Sequence, residues 1–183
     1  MKKMVLSFIM AVSLLFTLSN TAAFAITTSE AVAIPKVKQA QTNWCWAASS
    51  VSILKYYGKS VTQNAFVSKV KGSAVNKTAS DREVLAGLKA YGLTGTLVSD
   101  AITYNRIVSQ IRTGKPVYAG WTWNTSGGHA IVIDGFDGLS ASTGYVEYMD
   151  PADGKCHSLS FYAFKGGSSY NHVWDGTIYA ISK

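Results

Sequence analysis

The stretch Gln39-Ala40-Gln41-Thr42-Asn43-Trp44-Cys45-Trp46-Ala47-Ala48 decides how this chain is read. Asn43 or Thr42 can cap a helix that the spacing predicts from Trp44 to Tyr57, and Gly58 stops it. Val51, Ile53, Leu54 and Tyr57 recur at helical spacing, so one face of that helix is buried. Cys45 then lies in the first turn, where unpaired backbone N–H groups carry partial positive charge. That field favours the thiolate, which is the nucleophilic form of the side chain. Trp44 and Trp46 can wall a cleft or simply fill the core. The small residues Ala47-Ala48-Ser49-Ser50 let the helix approach a neighbouring layer closely. Gln39 precedes Cys45 by six residues. Its amide can join the Cys45 backbone N–H as an oxyanion donor, or it can be an ordinary loop residue.

Three more helices follow from the same periodicity, over Thr62–Val70, Ser80–Tyr91 and Asn105–Arg112. Ser80-Asp81-Arg82-Glu83 is a capping box for the second of these. After Gly114 the period changes. Short β-branched or aromatic runs predict strands at Val117–Trp123, Ala130–Phe136, Tyr145–Met149, His157–Ala163 and Thr177–Ile181. Helices first and antiparallel strands second imply an α+β domain rather than alternating βαβ units.

A cysteine nucleophile needs a base. His129 follows Gly127-Gly128 and opens the apolar strand Ala130-Ile131-Val132-Ile133, which points it at a cleft. His157 adjoins Cys156, and His172 reads as a loop residue. An imidazole base needs a third group to fix its tautomer and orientation. Asp150, at the end of a strand, can face a histidine on the antiparallel neighbour. Asp134 competes, but it lies on His129's own strand and reads as a turn former at the strand end.

Lys2-Lys3, the apolar run Met4–Leu18 and the small-x-small exit Ala23-Phe24-Ala25 form a secretory signal over residues 1–25. A short leader (26–36) and one domain (37–183) follow. Ile26–Lys38 is too short for a folded inhibitory pro-domain. The net charge of +7 lacks the basic stripe with interleaved aromatics that nucleic-acid binding requires, and suits contact with anionic cell walls. No second long apolar run follows, so no membrane insertion is expected once the signal is removed. The two cysteines of an exported chain also admit a Cys45–Cys156 disulfide, which would remove the nucleophile.

At these residues the chain resembles the papain-like cysteine peptidases, and looks most like secreted bacterial effector peptidases and bacteriocin-leader peptidases. The matching pieces are Val37-Lys38-Gln39, Trp44-Cys45-Trp46-Ala47-Ala48, Gly114-Lys115-Pro116-Val117, Gly128-His129-Ala130-Ile131-Val132-Ile133-Asp134-Gly135-Phe136 and Asp150-Pro151-Ala152-Asp153-Gly154. The resemblance implies a papain-like fold with the nucleophile helix packed on the sheet. It implies Cys45 as nucleophile, His129 as general base and acid, Asp150 as orienter and Gln39 as oxyanion donor. Asp150 stands where papain itself uses Asn. No cofactor or metal is implied. The expected activity is hydrolysis of protein or peptide substrates by a secreted monomer. A peptidoglycan-peptide hydrolase and a non-catalytic binding or toxin module on the same scaffold are the alternatives.

Overall fold

The computed structural model describes residues 27–183. The expected signal peptide lies outside the described residues. In chain order the elements are β1 (Ser29–Ala31), α1 (Cys45–Tyr56), α2 (Gln63–Lys71), α3 (Asp81–Ala90), β2 (Thr94–Val98), α4 (Tyr104–Arg112), β3 (Val117–Trp123), β4 (Gly128–Asp137), β5 (Tyr145–Asp150), β6 (Lys155–Ser160), α5 (Phe161–Lys165) and β7 (His172–Ser182). The strands form one antiparallel sheet in the order β2-β7-β3-β4-β5-β6. β1 pairs with Gly135–Asp137 of β4, beyond the point where β3 ends at Val117↔Ile133.

The strands alternate because each face of the sheet has its own cover. Tyr118, Ala130, Val132, Met149 and Ile178 pack with α1–α3 on one face. Val117, Ala119, Trp121, Ile131, Ile133 and Val146 pack with Tyr104, Ile107 and Ile111 of α4 and with Phe161 and Phe164 of α5 on the other. β4 is therefore buried on both sides, which accounts for its nearly unbroken apolar run. Among the described residues no helix is long and apolar enough to cross a membrane.

Four elements differ from the sequence expectation. The stretch read as a leader supplies β1 and buries Ile34 in the core. The strand expected to run on to Ala163 stops at Ser160, whose side chain caps α5 through the Ala163 N–H. β7 starts at His172 rather than Thr177, since His172 and Trp174 both turn inward. β2, a short and partly exposed run, lies where the sequence marks no strand.

Candidate active site

Small residues set the nucleophile helix against the sheet. Ala47, Ala48, Ser49 and Ser52 of α1 are fully buried, and the Ser49 hydroxyl donates to the Ala130 carbonyl at 3.1 Å. This seats the first turn of α1 beside the start of β4. Cys45 and His129 line one cleft of about 450 Å³. The Cys45 thiol is among the groups near enough to raise the proton affinity of the imidazole.

The other side of the ring belongs to Asp150. His129 Nε2 lies 2.7 Å from Asp150 Oδ1, which leaves Nδ1 for the sulfur. The same oxygen accepts the Ala152 N–H at 2.8 Å, and the Gly154 N–H returns to the Asp150 carbonyl at 2.8 Å. The Asp-Pro-x-x-Gly run is thus a tight turn that aims one carboxylate oxygen at the ring. Gly154 takes the left-handed conformation this turn requires, with φ +73°. Trp123 stacks on the imidazole, with ring centroids 6.1 Å apart and planes 17° apart.

Burial alone would lower the His129 pKa, but hydrogen bonds to Asp150 and Cys45, and the negative charge on both, raise it from 6.5 to about 9. Burial pushes the Asp150 carboxyl upward. Its bonds to His129 and the Ala152 N–H, with the nearby His129 and His157 charge, outweigh that and hold it below the usual range. Cys45 and His129 thus share one cleft, with the Asp150 carboxylate bonded to the imidazole.

A family model described as papain-like cysteine protease AvrRpt2 matches residues 28–168. The chain belongs to this family. It is a cysteine-type peptidase. A double glycine motif protease from an AMS/PCAT transporter shares its fold, at TM-score 0.56 and 21% identity over 83% of this chain and 93% of that one. A C39-like peptidase from Bacillus anthracis does so at TM-score 0.57 and 13% identity, over 83% and 97%. No curated protein matches the chain.

In this papain-like protease both thiols are free, so the disulfide alternative is not realised. Cys156 lies on the exposed strand β6 and donates its S–H to Asp134 Oδ2 at 3.3 Å. Burial, then the Asp134 carboxylate, push its thiol up to about 11. Asp134 is not the strand-end turn former expected. It sits inside β4 at an irregularity between Ile133 and Gly135, 5% exposed, and burial pushes it up to about 6. His157 pairs with Asp153 at 3.0 Å on the surface. His172 is buried, and its Nε2 lies 3.1 Å from the Phe164 carbonyl.

Gln39 is near the nucleophile in the chain, but both of its amide N–H groups donate locally, to the Gln41 and Thr42 carbonyls at 2.9 Å each. Its backbone N–H donates to the Pro151 carbonyl at 2.7 Å, tying the loop before Cys45 to the turn after Asp150. The expected cap of α1 is absent: the N-cap is Trp44, with no side-chain cap bond. Thr42 and Asn43 are engaged by Asn76 instead. Asn76 Oδ1 accepts the Asn43 N–H at 3.0 Å, and its Nδ2 donates to Thr42 Oγ1 at 2.9 Å. Trp44 and Trp46 donate their indole N–H groups to the Val75 and Lys77 carbonyls at 2.9 and 3.0 Å. Both tryptophans thus pack and position, and Trp46 also lines the cleft. Nothing in the sequence around Asn76 marks it. Only folding brings it to the nucleophile loop.

Proposed function

We propose that this protein is a secreted peptidase that hydrolyses peptide bonds through Cys45, His129 and Asp150. The observation that carries the reading is the placement of one imidazole between the Asp150 carboxylate and the Cys45 sulfur, on the wall of an open cleft. The thiolate attacks the peptide carbonyl carbon, and His129 passes its proton to the leaving amine. Water then attacks the thioester with His129 as base, releasing the acid and restoring the thiolate. The Cys45 backbone N–H makes no backbone hydrogen bond among the described residues and is free to receive the oxyanion. Gln39 serves as the second donor once it releases one loop carbonyl. Asp150 keeps the ring oriented and stabilises its charge.

The double glycine motif protease was crystallised with a leader peptide, which supports a peptide substrate for this cleft. The charged start, apolar core and Ala23-Phe24-Ala25 exit support export, with cleavage after Ala25. The enzyme acts as a monomer. Purified protein in reductant is expected to cleave casein and quenched peptides, and Cys45→Ala is expected to be inert. Equal cleavage by the alanine variant would overturn the reading. The +5 charge left once Lys2 and Lys3 are removed from the full chain's +7 favours one further substrate, the cell wall. Dye release from labelled walls without casein cleavage would redirect the activity to peptidoglycan peptides.

A further inference from the structure

The catalytic groups occupy only one end of the cleft. The other end lies between the start of α3 and the surface of β3 and β7, and its walls include Asp81, Tyr118, Gly120 and Asp175. We propose that this end is a selectivity pocket for a cationic side chain, Lys or Arg, near the scissile bond of the substrate. The proposal rests on the peptidase reading above and names what that peptidase selects.

Asp81 is the first residue of α3, yet the helix start does not need it. Ser80 and Glu83 already form the complete capping box. The Asp81 carboxylate instead reaches across to Gly120 and Gly176, which face each other on β3 and β7. A Cβ on Gly176 would collide with Asp81 Oδ2, and one on Gly120 would come to 3.4 Å from Oδ1. Two facing glycines therefore hollow the sheet where this carboxylate lies. Tyr118, only 2% exposed, lines the same cleft as Cys45 and Asp81, which links the hollow to the nucleophile. Asp175 adds a second negative charge at the exposed rim.

No cation lies within 4.0 Å of either carboxylate among the described residues, although the chain carries 17 Lys and Arg. Burial, then the charge of Asp175, push the Asp81 carboxyl above its usual range. A half-buried carboxylate with a like charge beside it lacks a counter-ion. Two carboxylates on the wall of a cleft that takes a peptide suit a basic side chain of that peptide. A lysine or arginine stem fits along the cleft wall beside these glycines, where its head group meets two acids.

The first test needs no catalysis. In a Cys156→Ser background, Cys45 is modified with methanethiosulfonates of equal size bearing either an ammonium or a neutral head. The cationic-to-neutral rate ratio is expected to fall about threefold in Asp175→Asn and about tenfold in Asp81→Asn/Asp175→Asn. An unmoved ratio overturns the proposal whatever the peptidase assays show. The second test scans Lys, Arg, norleucine and Glu through each position of a quenched alanine peptide. Lys or Arg at one position is expected to raise kcat/KM about tenfold or more over norleucine, with the preference lost in the double variant. Equal turnover of the norleucine and lysine peptides overturns the pocket and leaves the peptidase reading standing. Failure to turn over any peptide counts against the peptidase reading, and the thiosulfonate ratio then decides the pocket alone.

Discussion

Replacing Asp150 by Asn removes one charge and little else. The side-chain oxygen that meets His129 Nε2 at 2.7 Å and the Ala152 N–H at 2.8 Å has a counterpart in Asn, so the turn and the ring orientation are kept. What changes is the preference of the ring for its proton. The rise of His129 from 6.5 to about 9 corresponds to about 3 kcal/mol in favour of the imidazolium. Both side chains are well covered, 12% and 21% exposed, so solvent screens this only in part. Two unit charges ~4 Å apart at an effective dielectric of ~20 attract by about 4 kcal/mol, the same order. Cys45 supplies part of the effect and burial opposes it, so losing the Asp150 charge should lower the His129 pKa by about one to two pH units. The imidazolium is lost as pH rises through that pKa. The basic limb of kcat/KM against pH should therefore move from about 9 to about 7–8 in Asp150→Asn. The His129 ring proton, followed by NMR, should report the same displacement. A basic limb within a few tenths of the parent value would refute the assigned role of Asp150.

Stability should follow the same pair. A histidine with a raised folded pKa adds stability that is full below about 6.5 and lost as pH rises through about 9, so the urea midpoint should fall across that window and flatten in Asp150→Asn. Asp134 should act with the sign opposite to an ordinary paired carboxylate. Its folded pKa is raised to about 6, so stability is lost as pH climbs from about 4 through 6, by up to about 3 kcal/mol. Asp134→Asn should abolish that dependence, and an unchanged slope between pH 4 and 7 would count against it. Asn76→Ala removes two side-chain bonds to the loop before Cys45. It should lower kcat about tenfold with a much smaller change in KM, and kcat at the parent level would show that the loop holds itself.

The sequence carried the fold where burial is periodic. Val117–Trp123 is a strand with the bounds its β-branched and aromatic run predicts, and the capping box at Ser80 and Glu83 is present. The His129–Asp150 bond, and Cys45 and His129 on one cleft, each have a local cause: a strand start after glycines, an Asp-Pro turn and a helix start. The sequence did not carry α5, because Phe161 and Phe164 suit a strand as well as a short helix until Ser160 caps the turn. Nor did it carry the acidic end of the cleft. Asp81 reads as a helix-start residue and Gly176 lies just outside the strand expected from Thr177, and only their juxtaposition gives either a role at the cleft.

The geometry at the sulfur is fixed from two sides of the chain rather than by the nucleophile loop alone. Before Cys45, the Gln39 N–H reaches the carbonyl of Pro151, the residue next to Asp150. After Cys45, the Ser49 hydroxyl reaches the carbonyl of Ala130, the residue next to His129. Each partner of the sulfur is thus tied, one residue away, to the segment that carries the sulfur. A displacement of α1 along the sheet would break the Ser49 bond and leave the buried Ala130 carbonyl without its donor, which costs about 1–3 kcal/mol. A displacement of the Asp150 turn would pull on Gln39 and on the loop carbonyls it holds. The three side chains therefore need no direct contact among all of them to keep their spacing: the backbone ties hold it before substrate arrives, which is the preorganisation that acyl transfer in a small cleft requires.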